Sequence, residues 1–223
     1  MVPLRVVTYN VHGLRNDRAA LVGLVRELEP DAVIVQEAPR RFRWRHKCAA
    51  LADDFGMVVA AGGLPSLGNL LLVSLRLRVH GTWCLRYPLT PGRHLRGAAF
   101  ADCSVRGARF TLSGSHLATD PVERPAQAAR WKQELSRLDG PVIAAGDLNE
   151  GPGGGAWRTV ADGLITADSP ATFPATLPRL RLDAIFVTPD VTVDKYDVVD
   201  TDRARRASDH LPVVADLLLP PEI

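Results

Sequence analysis

Ser208-Asp209-His210-Leu211-Pro212-Val213 sets an acid and an imidazole side by side at the mouth of an apolar strand that reads on to Leu217. Three other polar clusters sit at the far ends of strand-like runs. Tyr9-Asn10-Val11-His12-Gly13 follows Leu4-Arg5-Val6-Val7, and Gln36-Glu37 follows Ala32-Val33-Ile34-Val35. Gly146-Asp147-Leu148-Asn149 follows Pro141-Val142-Ile143-Ala144-Ala145. Short apolar runs of this kind, bounded by turn residues, read as buried strands. Polar groups placed just beyond them are delivered to loops by a rigid scaffold, which is where catalytic side chains concentrate.

Working outward, the hydrophobic period changes repeatedly. Leu21, Leu24, Val25 and Leu28 recur at helical spacing, with Asn16 or Asp17 as N-cap and Pro30 as a stop. Further helices are expected over Arg40–Asp54, from Pro121 or Val122 to Leu138 before Gly140-Pro141, and over Ala156–Ala161. Strands are expected over Met57–Ala60, Asn69–Ser74, Val79–Leu85, Ala98–Val105, Arg109–Ser115, Ala184–Val187, Val191–Val198 and Leu211–Leu217. Strands thus outnumber helices by more than two to one, and their faces are too apolar to be left wet. Two packed sheets with helices outside satisfy both conditions. Gly151–Gly155 and Pro170–Arg181 read as loops rather than linkers, since strand patterns resume on both sides.

Composition bounds the class. The 223 residues, 46% apolar and 23% charged, fit one undivided globular domain over 1–223. No run approaches the roughly 18 apolar residues of a spanning helix. The first strand begins too near Met1 to leave room for a signal peptide, so a cytoplasmic protein is expected. Cys48, Cys84 and Cys103 are odd in number and flanked by apolar residues, which favours reduced thiols. With 27 basic against 25 acidic residues, global charge decides nothing about a polyanionic partner.

Topology then constrains the polar clusters. Asn10, Glu37, His116 and Asp147 lie at carboxyl ends of strands, whereas Asp183 and Asp209-His210 lie at amino ends. If the latter strands run antiparallel to the former, all of these residues meet on one rim of a mixed-sheet structure. Such a gathering of carboxylates and imidazoles is costly unless a cation neutralises it. The oxygen-rich donors select a hard ion, Mg²⁺ or Mn²⁺.

The ordered set Tyr9-Asn10-Val11-His12, Gln36-Glu37, Arg96-Gly97-Ala98, Ser115-His116-Leu117, Gly146-Asp147-Leu148-Asn149, Leu182-Asp183-Ala184-Ile185-Phe186-Val187 and Ser208-Asp209-His210-Leu211-Pro212-Val213 resembles the endonuclease/exonuclease/phosphatase superfamily. The resemblance runs from residue 4 to residue 217 and covers the deoxyribonuclease I-like, exonuclease III-like and sphingomyelinase-like branches. It implies an α/β fold, a four-layer α/β/β/α sandwich with two packed mixed β-sheets, and hydrolysis of a phosphate ester with Mg²⁺ or Mn²⁺. It also implies roles. Glu37, Asn10 and Asp209 would hold metal, and His210 with Asp183 would form an acid/base dyad. Asp147 and Asn149 would orient water and phosphoryl oxygens, and His116 and Arg96 would face the phosphate, with Arg93 close enough to replace Arg96. His12, His46, His80 and His94 receive no role. These assignments suit phosphoryl transfer, which asks for positioning and for cancellation of charge on oxygen.

Each residue has a structural alternative when taken alone. Asn10 can cap a turn, Glu37 can open a helix, Asp147 can start a turn with Asn149, and Asp183 can pair with Arg179 or Arg181 on the surface. Ala184 and Glu150-Gly151-Pro152 depart from the family pattern without removing a catalytic atom. Abasic-site endonucleases add aromatic insertions without counterpart here, which disfavours that branch. Two basic segments, Arg40–Lys47 and Arg203-Ala204-Arg205-Arg206, are placed to flank the cleft. Arg with interleaved Phe42 and Trp44 suits a nucleic-acid backbone and stacked bases, or anionic lipid head groups. The alternative is a solvated helix with Phe42 and Trp44 turned inward, followed by a charged loop. The expected protein is a monomeric, nuclease-like phosphodiesterase acting on DNA or RNA. A sphingomyelinase-like enzyme or inositol-phosphate phosphatase is the alternative within catalysis, and an inactive phosphate-binding module the alternative outside it.

Overall fold

Strand and helix alternate along the first part of the chain, after which strands dominate. The order is β1 (Val2–Asn10), α1 (Arg18–Leu28), β2 (Ala32–Gln36), α2 (Trp44–Phe55), β3 (Val58–Gly63), β4 (Asn69–Val73), β5 (Arg78–Arg86), β6 (Gly97–Val105), β7 (Ala108–His116), α3 (Arg124–Leu135), β8 (Val142–Asp147), α4 (Gly155–Ala161), β9 (Asp183–Val187), β10 (Thr192–Val198), α5 (Asp202–Ala207) and β11 (Val213–Leu219). The computed structural model describes residues 1–88 and 90–221.

Two mixed sheets result, one of six strands in the order β10-β11-β1-β2-β4-β3 and one of five in the order β5-β6-β7-β8-β9. They pack face to face. Period-2 alternation in the five-stranded sheet sorts its residues cleanly. Ala99, Ala101, Cys103, Ile143, Ala145 and Ile185 join the core between the sheets, while Ala98, Phe100, Val142, Ala144, Ala184 and Phe186 turn outward. The outward set meets Ala128, Trp131 and Leu135 of α3 and Ala156, Trp157 and Val160 of α4. Leu21, Leu24 and Val25 of α1, with Cys48 and Leu51 of α2, belong to the core of the six-stranded sheet. The layering is α/β/β/α, as the sequence implies.

Strand directions meet the topological condition. β1 runs parallel to β2 and antiparallel to β11, and β8 runs parallel to β7 and antiparallel to β9. The carboxyl ends of β1, β2, β7 and β8 therefore share a rim with the amino ends of β9 and β11.

Several boundaries differ from expectation for identifiable reasons. α2 starts at Trp44, not Arg40, because Arg43 takes left-handed φ (57°) at the N-cap and Arg40 is held by the loops beside it. α3 is trimmed to Arg124–Leu135 by the Asp120 turn, whose side chain accepts from Val122 N. β11 starts at Val213 because Leu211 N is committed to Thr172 O at 2.8 Å and Pro212 has no N–H to give. α5 stands where the alternative reading placed a charged loop. Its cap is Thr201, whose Oγ1 accepts from Ala204 N at 3.1 Å. Six residues are too few to display a helical period. Asp17 rather than Asn16 caps α1, accepting from Ala20 N. All three cysteines are free thiols, and burial pushes Cys48 to about 11 and Cys103 to about 12.

Close approach of the sheets depends on Gly114 of β7. A Cβ there would stand 2.6 Å from Ile34 Cγ2 and 3.0 Å from Leu71 Cδ2, both in the facing sheet. Gly114→Val is expected to lose about 1–3 kcal/mol of stability by denaturant titration through overpacking. Gly81→Ala, where an added Cβ meets nothing within 4 Å, should stay within about 0.5 kcal/mol of the parent.

Candidate active site

Three residues lie abreast across the five-stranded sheet where its strands reach the rim. Backbone register pairs His116 with Asp147 and Asp147 with Asp183. From the facing sheet Asn10, the last residue of β1, donates Nδ2 to Asp147 Oδ2 at 3.0 Å. The segment entering β11 closes the ring: Ser208 Oγ donates to Asn10 O at 2.6 Å, and His210 follows two residues later. All of these side chains are buried, Asp183 completely.

His210 Nδ1 lies 2.8 Å from Asp183 Oδ2, and its Nε2 lies 3.7 Å from Asp147 Oδ2. Nδ1 must carry the proton to bond a carboxylate, which aims Nε2 at Asp147. Burial lowers the His210 pKa, yet Asp183, as a charge and as an acceptor, with Asp147 and Asp209, overcomes it and raises the value to about 10. The Asp147 carboxyl is pushed up to about 6, by burial first and by the Asp183 charge next, against the pull of His210, Asn149 N–H and Asn10. The Asp183 carboxylate also accepts from Thr172 Oγ1 at 2.6 Å. Thr172 Oγ1 in turn accepts from Leu182 N and Asp183 N, so it holds the dyad's acid from two directions. The Phe173 ring lies against the His210 imidazole, with centroids 4.7 Å apart.

His116 faces a different environment. Arg96 Nη1 donates to its Nδ1 at 3.1 Å, which leaves the single proton of a neutral ring on Nε2, 3.2 Å from Asp147 Oδ2. Burial first, then the charges of Arg96 and His210, hold the His116 pKa well below its ordinary range. Asn149 takes left-handed φ (50°), donates its backbone N–H to Asp147 Oδ1 at 2.9 Å and anchors Nδ2 on Leu117 O at 2.9 Å. The side-chain amide is thereby fixed beside His116 Nε2, at 2.9 Å.

Glu37 and Asp209 differ from this buried group. Glu37 is partly exposed, sits at left-handed φ (58°), and among the described residues its carboxylate makes no hydrogen bond or ion pair. Backbone strain of this kind clusters at functional positions. The Asp209 side chain is 37% exposed and, among the described residues, its carboxylate meets only the Ser208 hydroxyl at 3.4 Å and His12 Nε2 at 3.6 Å. The Asn10 amide oxygen also accepts from His12 N at 3.0 Å, and oxygen donors of these types suit a hard divalent ion. Asp147, Asp183 and His210 also offer one atom each within 4.8 Å of one another.

The structure joins Asn10, Arg96, His116, Asp147, Asn149, Asp183 and His210 in one bonded network, while Glu37 and Asp209 stand outside it. The structural alternatives resolve one by one. Asp183 has no surface arginine, since Arg181 pairs with Asp168 at 2.8 Å. Glu37 opens no helix. Asn10 and Asp147 do form local turn bonds while also bonding each other. Arg93 is occupied by Asp120 at 2.5 Å, and among the described residues Arg96 is the arginine that bonds His116. Sequence reading missed Thr172 and Phe173, which lie in a loop with no periodic signal, and gave no role to His12, the neighbour of Asp209. Thr172→Val is expected to lose about 1–3 kcal/mol by leaving a buried Asp183 oxygen without its hydroxyl donor. Denaturant titration checks the stability loss, and proton NMR of the His210 Nδ1–H checks the weakened dyad.

The model of the endonuclease/exonuclease/phosphatase family matches residues 7–210. No curated protein matches the sequence. Among solved structures, the mannosyl-6-phosphatase of Bacteroides thetaiotaomicron superimposes with a TM-score of 0.81 at 17% identity, covering 97% of this chain and 100% of that one. D. rerio TDP2, complexed with a single-strand DNA product, gives 0.76 at 21% identity, covering 98% and 100%. An endonuclease/exonuclease/phosphatase from Beutenbergia cavernae gives 0.76 at 25% identity, covering 98% of this chain and 72% of that one. With the motif order, the rim geometry and a family match over nearly the whole chain in agreement, this protein belongs to the endonuclease/exonuclease/phosphatase family.

Proposed function

We propose that this protein is a divalent-cation-dependent phosphodiesterase that cleaves nucleic acid. The observation that carries the chemistry is the Asp183–His210 pair at 2.8 Å, with His210 Nε2 aimed at Asp147 from 3.7 Å. Glu37, Asn10 and Asp209 would hold Mg²⁺ or Mn²⁺, which supplies charge neutralisation at the phosphoryl oxygens when bound. His210 would give or take the proton at Nε2 while Asp183 keeps its tautomer. Asp147, with its pKa raised by burial and with Asn149 and His116 bonded around it, would orient the attacking water, and Arg96 would direct its remaining N–H groups at the phosphate.

Support for nucleic acid comes from Arg41, Arg43 and Arg45, which are exposed along with Phe42, itself 83% exposed. Phe42 therefore does not turn inward as the helical alternative requires, whereas half-buried Trp44 does, with the Arg45 guanidinium 4.5 Å from its ring centre. The relative TDP2 was solved with a DNA product. The second basic segment contributes less, because Arg203, Arg205 and Arg206 pair with Glu27, Asp200 and Asp17. That neutralisation favours a second reading, a phosphatase for a small phosphate ester, in line with the mannosyl-6-phosphatase neighbour.

Three outcomes are expected. His210→Ala should lower kcat on bis-p-nitrophenyl phosphate about 10²–10⁴-fold in Mg²⁺ or Mn²⁺; unchanged turnover would refute the assignment. Glu37→Gln should weaken the rise in Tm that Mg²⁺ produces in the parent, a readout independent of turnover. Binding of single-stranded DNA in chelator should fall steeply with salt, with a slope of about −0.7 for each phosphate contacted in a log–log plot. A flat response, with turnover confined to phosphomonoesters, would select the phosphatase reading.

A further inference from the structure

Two arginines stand apart from the rest. Among the described residues, Arg40 and Arg96 are the arginines that are neither exposed nor paired with a carboxylate. Both are held rigidly. Arg40 lays its stem over Gly68, where an added Cβ would stand 3.3 Å from Cδ, and donates Nη1 to Leu67 O at 2.8 Å and Leu95 O at 3.1 Å. Its Nε and Nη2 donate to nothing among the described residues. Arg96, the next residue after Leu95, donates Nη1 to His116 and buries Nε without a partner. Bringing two guanidinium groups together away from water is unfavourable unless an anion joins them. Glu37 and Asp147 partly offset the Arg96 charge, while Arg40 opposes it.

The contacts also give these groups an order. Asp147 meets His116 at 3.2 Å, His116 meets Arg96 at 3.1 Å, and Arg40 grips the carbonyl one residue before Arg96. Arg40 is thus the outer member of a row that begins at the reaction centre. Arg96 is placed for the scissile phosphate. A guanidinium one step further out, with two of its nitrogens unengaged, suits a separate phosphate. We propose that Arg40 binds a second phosphate of the substrate, adjacent to the scissile one, so that the protein prefers esters carrying neighbouring phosphates over esters with one. The inference rests on the phosphodiesterase reading and narrows its substrate class to strands bearing successive phosphates.

The test compares the dinucleotide TpT with its 5′-phosphorylated and 3′-phosphorylated forms, in the parent, in Arg40→Gln and in Arg40→Lys. The parent should favour one phosphorylated form. Arg40→Gln should cut kcat/KM for that form about tenfold more than for TpT, the worth of one charge-assisted contact. Arg40→Lys should recover part of the preference, since it keeps the charge but not the fork. An equal loss on all three compounds, or no loss on any, overturns the proposal. Should the parent cleave none of them, the nuclease reading fails, and titration in chelator still decides the subsite. A phosphorylated form bound tighter than TpT by the parent but not by Arg40→Gln sustains it; equal affinities overturn it.

Discussion

The hydrogen bond from Asn10 Nδ2 to Asp147 Oδ2, 3.0 Å long, joins the last residue of a strand in one sheet to the last residue of a strand in the other. Both groups are buried, at 2% and 1% exposure, so neither can exchange its partner for water. It fixes how the two sheets meet at the rim. His116 and Asp183 then fall on either side of Asp147 by backbone register, and Ser208 is drawn to the carbonyl of Asn10. A sandwich packed only through aliphatic side chains would tolerate small slides of one sheet over the other. A buried amide-to-carboxylate bond does not, because misalignment would leave the Asn10 side-chain N–H group desolvated without its acceptor.

The rim divides its charges by depth. Asp147, Asp183 and His210 form a network away from water, where pairing must compensate desolvation and where a lost partner is costly. Glu37 and Asp209 stay partly wet. Carboxylates that already have strong protein donors make poor ligands for an incoming ion, whereas weakly engaged ones need little rearrangement. One cleft thereby holds a buried, hydrogen-bonded group beside partly wet, weakly engaged carboxylates.

Much of this was legible in the sequence because the strands are short, apolar and ended abruptly by polar residues. Ala32–Gln36 and Val142–Asp147 are buried along their whole lengths, and a buried run that stops at Glu37 or Asp147 advertises its end. The antiparallel placement of Asp183 and His210 enters the sequence reading only as a condition, since strand direction depends on contacts far along the chain. Thr172 escaped notice for the opposite reason to Asp147. Its loop has no period, and its importance lies in three hydrogen bonds to residues 10 and 11 positions away. The ion pairs that neutralise Arg203, Arg205 and Arg206 were equally hidden, because Glu27 lies 176 residues from Arg203. Charge counted along a chain differs from charge presented in space.

The bond between Ser208 and Asn10 spans 198 residues. Until that closure, Asp147 and Asp183 lack the His210 imidazole between them. During synthesis the amino-terminal strands leave the ribosome long before residue 210 is made. A nascent chain therefore carries Asn10 and Glu37 before the His210 imidazole exists. The rim is complete only with the insertion of β11 beside β1, so the last strand of the fold is also the one that finishes the cleft.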